Sequence, residues 1–118
     1  MGDSENIRTV FGKILEDFGH CLINNAGIVS TAPFDEVTHA EWDRVIAINL
    51  TGVYTAISVM YPAMKAAGYG RIVNVASVAA KRGGGLLGTS AYAASKAGVI
   101  GLTKAVAREG APYGVACN

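Results

Sequence analysis

The sequence predicts an α/β fold in which helices cover a parallel β-sheet. Stretches with helical periodicity alternate with short apolar runs, in the order helix, strand, helix, strand, helix, strand. The first apolar run shows no polar alternation, which is typical of a strand buried on both faces. The chain has 118 residues, 51% of them hydrophobic and 16% charged. That composition excludes a disordered chain and allows one domain with a modest core.

The first two predicted elements are a helix and a buried strand. Residues 7–18 carry apolar side chains at positions i, i+3, i+4 and i+7, and Gly19 offers a stop. The apolar run 21–23 then predicts a strand, and the Asn-Asn-Ala-Gly segment 24–27 ends it.

A long apolar helix is predicted next. Thr38 and Glu41 form a Ser/Thr-x-x-Glu capping box, in which each side chain accepts the backbone N–H of the other. Segment 45–64 of this helix carries no charge and is long enough to span a bilayer. Polar residues and Pro62 interrupt the segment, so a buried core helix, kinked near Pro62, is the preferred interpretation.

The second half predicts two further strands around a helix. Residues 71–76 predict a strand that ends at Ser77, and a glycine-rich loop over 78–90 leads into a helix over 91–109. Residues 115–117 open a third strand. With right-handed crossovers and parallel order, the carboxyl ends of the first two strands share one edge of the sheet. Open α/β sheets bind ligands at that edge.

Composition and charge exclude several classes of function. Ten basic residues nearly cancel nine acidic ones and are scattered, so no nucleic-acid or membrane partner is predicted. Cys21 and Cys117 are too far apart for a disulfide framework or a metal site, so we expect no metal. The acidic start has no signal-peptide core. A reducing, cytoplasmic setting is therefore expected.

Four polar residues are candidates for chemistry, and each has a structural alternative. Tyr92 and Lys96 lie one helical turn apart, where a cation favours the phenolate, although a tyrosine packed on a lysine stem has the same spacing. Ser77 follows a strand, where its hydroxyl either faces the ligand edge or forms a turn. Asn49 occupies the apolar stripe of the long helix, either in a site or as a hydrogen-bonded core amide.

Together these residues resemble the short-chain dehydrogenase/reductase family, and the resemblance covers nearly the whole chain. Flanking segments are similar to bacterial 3-oxoacyl-acyl-carrier-protein reductases and sugar-alcohol dehydrogenases. The motifs that carry the resemblance, in order and near these spacings, are Asn24-Asn25-Ala26-Gly27, Asn49, Val75-Ala76-Ser77 and Tyr92-Ala93-Ala94-Ser95-Lys96.

The resemblance implies a doubly wound, Rossmann-like domain that binds NAD or NADP and acts on a small carbonyl or alcohol. By that resemblance Tyr92 is the general acid/base for hydride transfer at the nicotinamide. Lys96 lowers the pKa of Tyr92 and binds the nicotinamide ribose, and Ser77 holds the substrate oxygen. Asn49 positions a water that relays protons to Lys96.

The same resemblance assigns a cofactor cleft and an oligomer. Asn25, Ala26 and Gly27 line the cleft, together with Tyr92 and Lys96 of the catalytic set. The two long helices pair in a homodimer or tetramer, and the last helix carries small side chains that permit close approach.

The sequence also departs from the family pattern. No glycine-rich phosphate turn precedes the first strand, so residues 1–118 are interpreted as one partial NAD(P)-binding domain without the N-terminal βαβ portion or the C-terminal substrate loop. The G-x-G-x-x-G pattern at 83–88 follows no strand directly, so we interpret it as a connector or lid. The long loop between Ser77 and Tyr92 could separate the two residues.

Two hypotheses follow. The chain is either the catalytic half of an NAD(P)-dependent oxidoreductase or a truncated, inactive fragment that acts through helix-mediated association. The substrate and the choice between NAD and NADP remain open.

Overall fold

A computed structural model describes residues 3–85 and 88–118, apart from the side chain of Phe18. These residues follow the predicted alternation of helices and strands. The elements in chain order are α1 (Ser4–Phe18), β1 (Cys21–Asn24), α2 (His39–Ile46), a π-helical segment (Ala47–Thr51), α3 (Gly52–Ala67), β2 (Gly70–Asn74), α4 (Ala79–Arg82), α5 (Ser90–Gly110), a 3₁₀ turn (Ala111–Tyr113) and β3 (Val115–Cys117).

The three strands form one parallel sheet in the order β1-β2-β3. Cys21 of β1 lies opposite Arg71 of β2, and Gly70 of β2 lies opposite Val115 of β3. The carboxyl ends of β1 and β2 therefore meet at one edge of the sheet, as the sequence predicts. Asn24 and Asn74 are paired at that edge, where Asn24 Nδ2 donates a 2.8 Å hydrogen bond to Asn74 Oδ1.

Helices α1, α3 and α5 share a core with one face of this sheet. The core side chains come from all three helices and all three strands, and they are Ile7, Leu22, Val53, Ala56, Ile57, Met60, Met64, Ile72, Val99, Val115 and Cys117. The hydrophobic effect of this buried cluster stabilises the layer of helices on the sheet.

The other face of the sheet is open among the described residues, so the prediction of a strand buried on both faces is wrong for β1. Residues alternate along β1 and β2 between buried and exposed, with Ile23 70% and Val73 44% exposed. We call this surface the open face and define it by Cys21, Ile23, Arg71 and Val73. Because side chains alternate along a strand, helices on one side cover only every second residue.

The helix starts show how local capping works here. Asp3 caps α1 by accepting the backbone N–H of Glu5 and of Asn6, which begins the helix earlier than the apolar pattern predicts. Thr38 caps α2 through a 3.1 Å hydrogen bond from Glu41 N, as predicted. The reciprocal half of the capping box does not form, because the Glu41 carboxylate accepts the Ser30 hydroxyl instead.

Residues 39–67 form one helical stretch that would be long and apolar enough to cross a membrane, with a mean hydropathy of 1.4 in its most apolar window. Nearly half of that window, 44%, is buried inside the protein. Pro62 lies within α3, which continues to Ala67. The π-helical segment at Ala47–Thr51, which the sequence pattern does not predict, divides the stretch.

The glycine-rich pattern at 83–88 does not form a dinucleotide turn. It follows the short helix α4, which interrupts the predicted loop, and Gly83 closes that helix at φ 77°. A phosphate-binding turn would leave a strand and enter a helix directly. Leu86 and Leu87, in the middle of the pattern, lie outside the described residues.

Candidate active site

Asn49 is fully buried and braces the loop that follows β1. Its Oδ1 accepts the backbone N–H of Ile28, and its Nδ2 donates to the Ile28 carbonyl, both at 2.8 Å. Nδ2 also donates to Ser95 Oγ at 3.1 Å. Both amide hydrogens are used, so the side chain can offer a water only an acceptor lone pair on Oδ1.

Asn49, whose side chain contacts Ile28, is the central residue of the π-helical segment. A π turn widens the helix and shifts the register of its hydrogen bonds, and such turns are frequent at functional sites. Here the backbone N–H of Gly52 reaches back to the carbonyl of Ala47. The polar residue in an otherwise apolar stripe therefore coincides with the irregular turn, and its amide links the helix to the sheet edge.

Lys96 is buried, with 4% of its surface exposed, and its ammonium points to the end of β2. Nζ donates a 2.8 Å hydrogen bond to the carbonyl of Val75, which leaves two N–H groups for other acceptors. Burial lowers the pKa of Lys96, because the interior disfavours the charged form. Nζ lies 5.9 Å from the centre of the Tyr92 ring.

Ser77 and Tyr92 line the same cavity, although a long loop separates them in sequence. The cavity has a volume of about 470 Å³ and opens between α4, α5 and the loop after β1. Ser77 Oγ accepts the backbone N–H of Ala79 at 3.2 Å, so the turn-forming interpretation is also correct. No acceptor in the described part of the chain takes its hydroxyl proton, which can therefore donate into the cavity.

Asn25, Ala26 and Gly27 are exposed at the end of β1. A Cβ on Gly27 would lie 3.2 Å from Asn49 Oδ1 and 3.5 Å from Lys96 Nζ. Gly27, in the segment that the resemblance assigns to a cofactor, therefore lies close to both polar atoms.

A second set of hydrogen bonds, not predicted from the sequence, ties the start of α5 to the loop after β1. The carbonyl of Ser30 accepts the backbone N–H of Thr89 at 2.9 Å and the Thr89 hydroxyl at 3.1 Å. The Ser30 hydroxyl donates to Glu41 Oε1 at 2.6 Å. These contacts hold the first turn of α5, which carries Tyr92, against α2.

Sequence reasoning also missed two residues that contact the predicted set. Ser95 is fully buried and joins Asn49 to α5 by donating to the carbonyl of Tyr92 at 2.7 Å. Gly88 packs against the Tyr92 ring so closely that a Cβ there would overlap the ring edge. The sequence signal for Ser95 was its position between Tyr92 and Lys96. For Gly88 the sequence offered no signal beyond the glycine-rich composition of its loop.

The arrangement brings together all four predicted catalytic candidates at the carboxyl edge of the sheet. The family model for short chain dehydrogenases matches residues 1–118. The chain belongs to the short-chain dehydrogenase family. The expected Rossmann-like α/β fold agrees with a crystal structure described as an NAD(P)-dependent gluconate 5-dehydrogenase from Beutenbergia cavernae with bound NADP. The two superimpose with a TM-score of 0.91 at 39% identity, over 99% of this chain and 47% of that one.

Curated relatives give the same family. An uncharacterized short-chain type dehydrogenase/reductase of Sinorhizobium fredii is 40% identical over all of this chain and 47% of its own length. An acetoacetyl-CoA reductase of Rhizobium meliloti is 44% identical over 82% of this chain and 39% of its own length. This short-chain dehydrogenase chain therefore spans about half the length of the curated relatives it matches.

Proposed function

We propose that this chain carries the proton-transfer half of an NAD(P)-dependent oxidoreductase, which interconverts a small carbonyl compound and its secondary alcohol. The observation that carries the proposal is the buried Lys96 ammonium, one helical turn from a tyrosine that shares a cavity with Ser77. The family membership and the NADP-bound crystal structure support the cofactor assignment.

In this proposal Tyr92 exchanges a proton with the substrate oxygen, and Ser77 donates a hydrogen bond to that oxygen. A hydroxyl that binds the oxygen stabilises the charge that develops there during the reaction. A bound nicotinamide supplies or accepts the hydride. Hydroxyls from two different elements in one cavity favour this division of roles.

The Lys96 ammonium lies beside the Tyr92 ring, 5.9 Å from its centre, where the proposal assigns it to assist Tyr92 in proton transfer. The hydrogen bond to Val75 fixes Nζ while leaving two donors for a ribose hydroxyl or a water. Asn49 Oδ1 faces the same point above Gly27 as Nζ. In the proposed relay of protons to Lys96, a water would accept from Nζ and donate to Asn49 Oδ1.

The residues at the end of β1 fit a cofactor that lies along the sheet edge. Asn25, Ala26 and Gly27 are exposed, and a Cβ at residue 27 would lie 3.2 Å from Asn49 Oδ1 and 3.5 Å from Lys96 Nζ. The proposal assigns these three residues to the wall of the cofactor cleft.

Titration of the 118-residue chain with NADH and with NADPH, followed by nicotinamide fluorescence, tests the proposal. We expect saturable binding that Lys96→Ala weakens at least tenfold. Lys104→Ala is the matched control, because Lys104 is exposed on the same helix. Absence of binding at millimolar cofactor, or equal losses in both variants, would favour the second hypothesis of a catalytically inactive fragment.

We also propose that the chain acts as a homo-oligomer through α3 and α5, in the reducing cytoplasm. The two helices share an apolar groove of about 260 Å³, and Tyr54 beside it is 55% exposed. Small exposed residues, Ala94, Ala97 and Gly101, allow close approach along α5. Sedimentation of the chain and of Tyr54→Lys checks this, and an unchanged monomeric mass in both would contradict it.

A further inference from the structure

The cavity that holds Ser77 and Tyr92 contains one cationic side chain among its described lining residues, Arg82. The rest of the described lining is apolar or glycine apart from the two hydroxyl residues: Val29, Val78, Ala79, Gly84, Gly85 and Gly88. No carboxylate is among them. Arg82 is exposed, so solvent screens its charge in part, but a cation with no carboxylate among its described cavity neighbours still favours anions there.

The Arg82 guanidinium has no hydrogen bond or ion pair with any residue in the ranges 3–85 and 88–118, and only the backbone N–H of Arg82 is bonded, to the Val78 carbonyl. It lies in the last turn of α4, where cations complement a helix end, but α4 has only four residues and Lys81 shares that turn. Lys81 does not line the cavity. The position of Arg82 in the cavity wall is therefore not explained by the helix end alone.

Hydrogen bonds join the turn that carries Arg82 to Ser77. Ser77 Oγ accepts the backbone N–H of Ala79, the first residue of α4, and Gly83 N donates to the Ala79 carbonyl. Arg82 follows Ser77 by five positions along this turn. A guanidinium binds a carboxylate or phosphate through two parallel hydrogen bonds, which orients the anion as well as attracting it.

We propose that Arg82 selects oxo acids or hydroxy acids as substrates, binding the anionic group of a molecule whose carbonyl or hydroxyl oxygen lies at Ser77 and Tyr92. The inference rests on the proposed function, since it places the reacting oxygen at those two hydroxyls. It adds the class of substrate and the residue that recognises it.

The test uses the 118-residue chain without cofactor and two ligands that differ in charge and by one methyl group, 4-oxopentanoate and its methyl ester. Backbone amide shifts of Gly84 and Gly88 report binding in the cavity, and the same spectra show whether each variant is folded. We expect the acid to bind about tenfold more tightly than the ester, as a charge-assisted bidentate pair predicts. Arg82→Gln should remove that difference, and Lys81→Gln should keep it.

Equal binding of acid and ester, no shift at these amides with either ligand, or an equal loss in Lys81→Gln would each overturn the proposal. Inorganic pyrophosphate tests whether the anion that Arg82 binds is instead a phosphate of the cofactor. If it displaces the oxo acid with higher affinity, Arg82 serves a cofactor phosphate and the proposal is wrong.

The two proposals fail separately. If the chain binds NADPH but shows no preference for the acid, only the proposed role of Arg82 is wrong. An acid preference without any NADPH binding keeps the anion site and removes the proposed oxidoreductase activity of this chain.

Discussion

Asn49 shows most clearly how a single residue serves this site. An unsatisfied amide in the core costs about 1–3 kcal/mol, yet Asn49 has three hydrogen bonds to Ile28 and Ser95. Those bonds connect the long helix, the loop after β1 and α5. The odd polar position in the apolar stripe is therefore a structural brace, and its Oδ1 lies so close to Gly27 that a Cβ there would be 3.2 Å away.

At the same scale, Gly88→Ala is expected to displace Tyr92. An added Cβ would overlap the ring edge and lie 3.0 Å from Tyr92 Cγ, so the ring or the loop must shift. Overpacking of this kind costs about 1–3 kcal/mol of unfolding free energy. Urea unfolding and the tyrosine signal in near-UV circular dichroism measure both effects.

Gly101→Ala is the matched control for that prediction. A Cβ at residue 101 meets nothing within 4 Å, and the position lies inside α5. Alanine there should stabilise the chain by about 0.5–1 kcal/mol, because glycine lowers helix stability. Equal effects of the two substitutions would show that Gly88 does not position Tyr92.

Lys96 predicts a pH dependence of stability. Burial lowers its pKa below the ordinary 10.5, so between the folded and unfolded pKa values the unfolded chain binds more protons. The free energy of unfolding should therefore rise with pH toward 10.5, relative to Lys96→Met. Urea unfolding of both chains at several alkaline pH values gives this difference.

The comparison with Lys96→Met also removes the opposing contribution of Cys117 to the pH dependence of stability. Burial raises the pKa of Cys117, which lowers stability as pH rises past the ordinary thiol value of 9.0. Both chains carry Cys117, so its contribution cancels in the difference. A difference that stays constant with pH would mean that the lysine is solvated in solution.

At the scale of elements, the start of α5 is positioned by contacts from outside the helix. The Thr89 side chain does not cap α5 but donates to the Ser30 carbonyl, and Ser30 is held by Glu41 of α2. The site residues on α5 therefore depend on the loop after β1, which the helical pattern of α5 does not indicate.

Thr89→Val should loosen the first turn of α5. The substitution keeps the shape of the side chain and removes the hydrogen bond from its hydroxyl to the Ser30 carbonyl. A lost hydrogen bond of about 1 kcal/mol should accelerate backbone amide exchange near Tyr92 about fivefold to tenfold. Thr9→Val is the control, since the Thr9 hydroxyl bonds only within its own helix. Unchanged exchange at Tyr92 would show that the backbone bond from Thr89 N suffices.

At the scale of the whole molecule, the sheet is covered on one side and open on the other among the described residues. The open face combines apolar side chains with Cys21 and Arg71, whereas Cys117 lies in the core. The reactivity of the two cysteines therefore measures the exposure of the two faces of the same sheet.

Alkylation with iodoacetamide should modify Cys21 first. Cys21 is exposed, while burial both shields Cys117 and raises the pKa of its thiol, so Cys117 should react at least about tenfold more slowly. Mass spectrometry of timed samples gives the two rates, and the urea-unfolded chain should lose the difference. A protected Cys21 in the native chain would indicate that the open face is covered in solution.

The sequence by itself determined the order of elements, the edge where the strands end and the four residues that meet there, because periodicity, caps and strand ends are local signals. The half-formed capping box, the single covered face of the sheet and the contacts of Lys96, Ser95 and Gly88 were decided only by the tertiary structure. These features depend on partners far away in the chain, such as Ser30 for Glu41 and Val75 for Lys96. Which hydrogen bonds form there is set by packing between elements, which a local pattern does not contain.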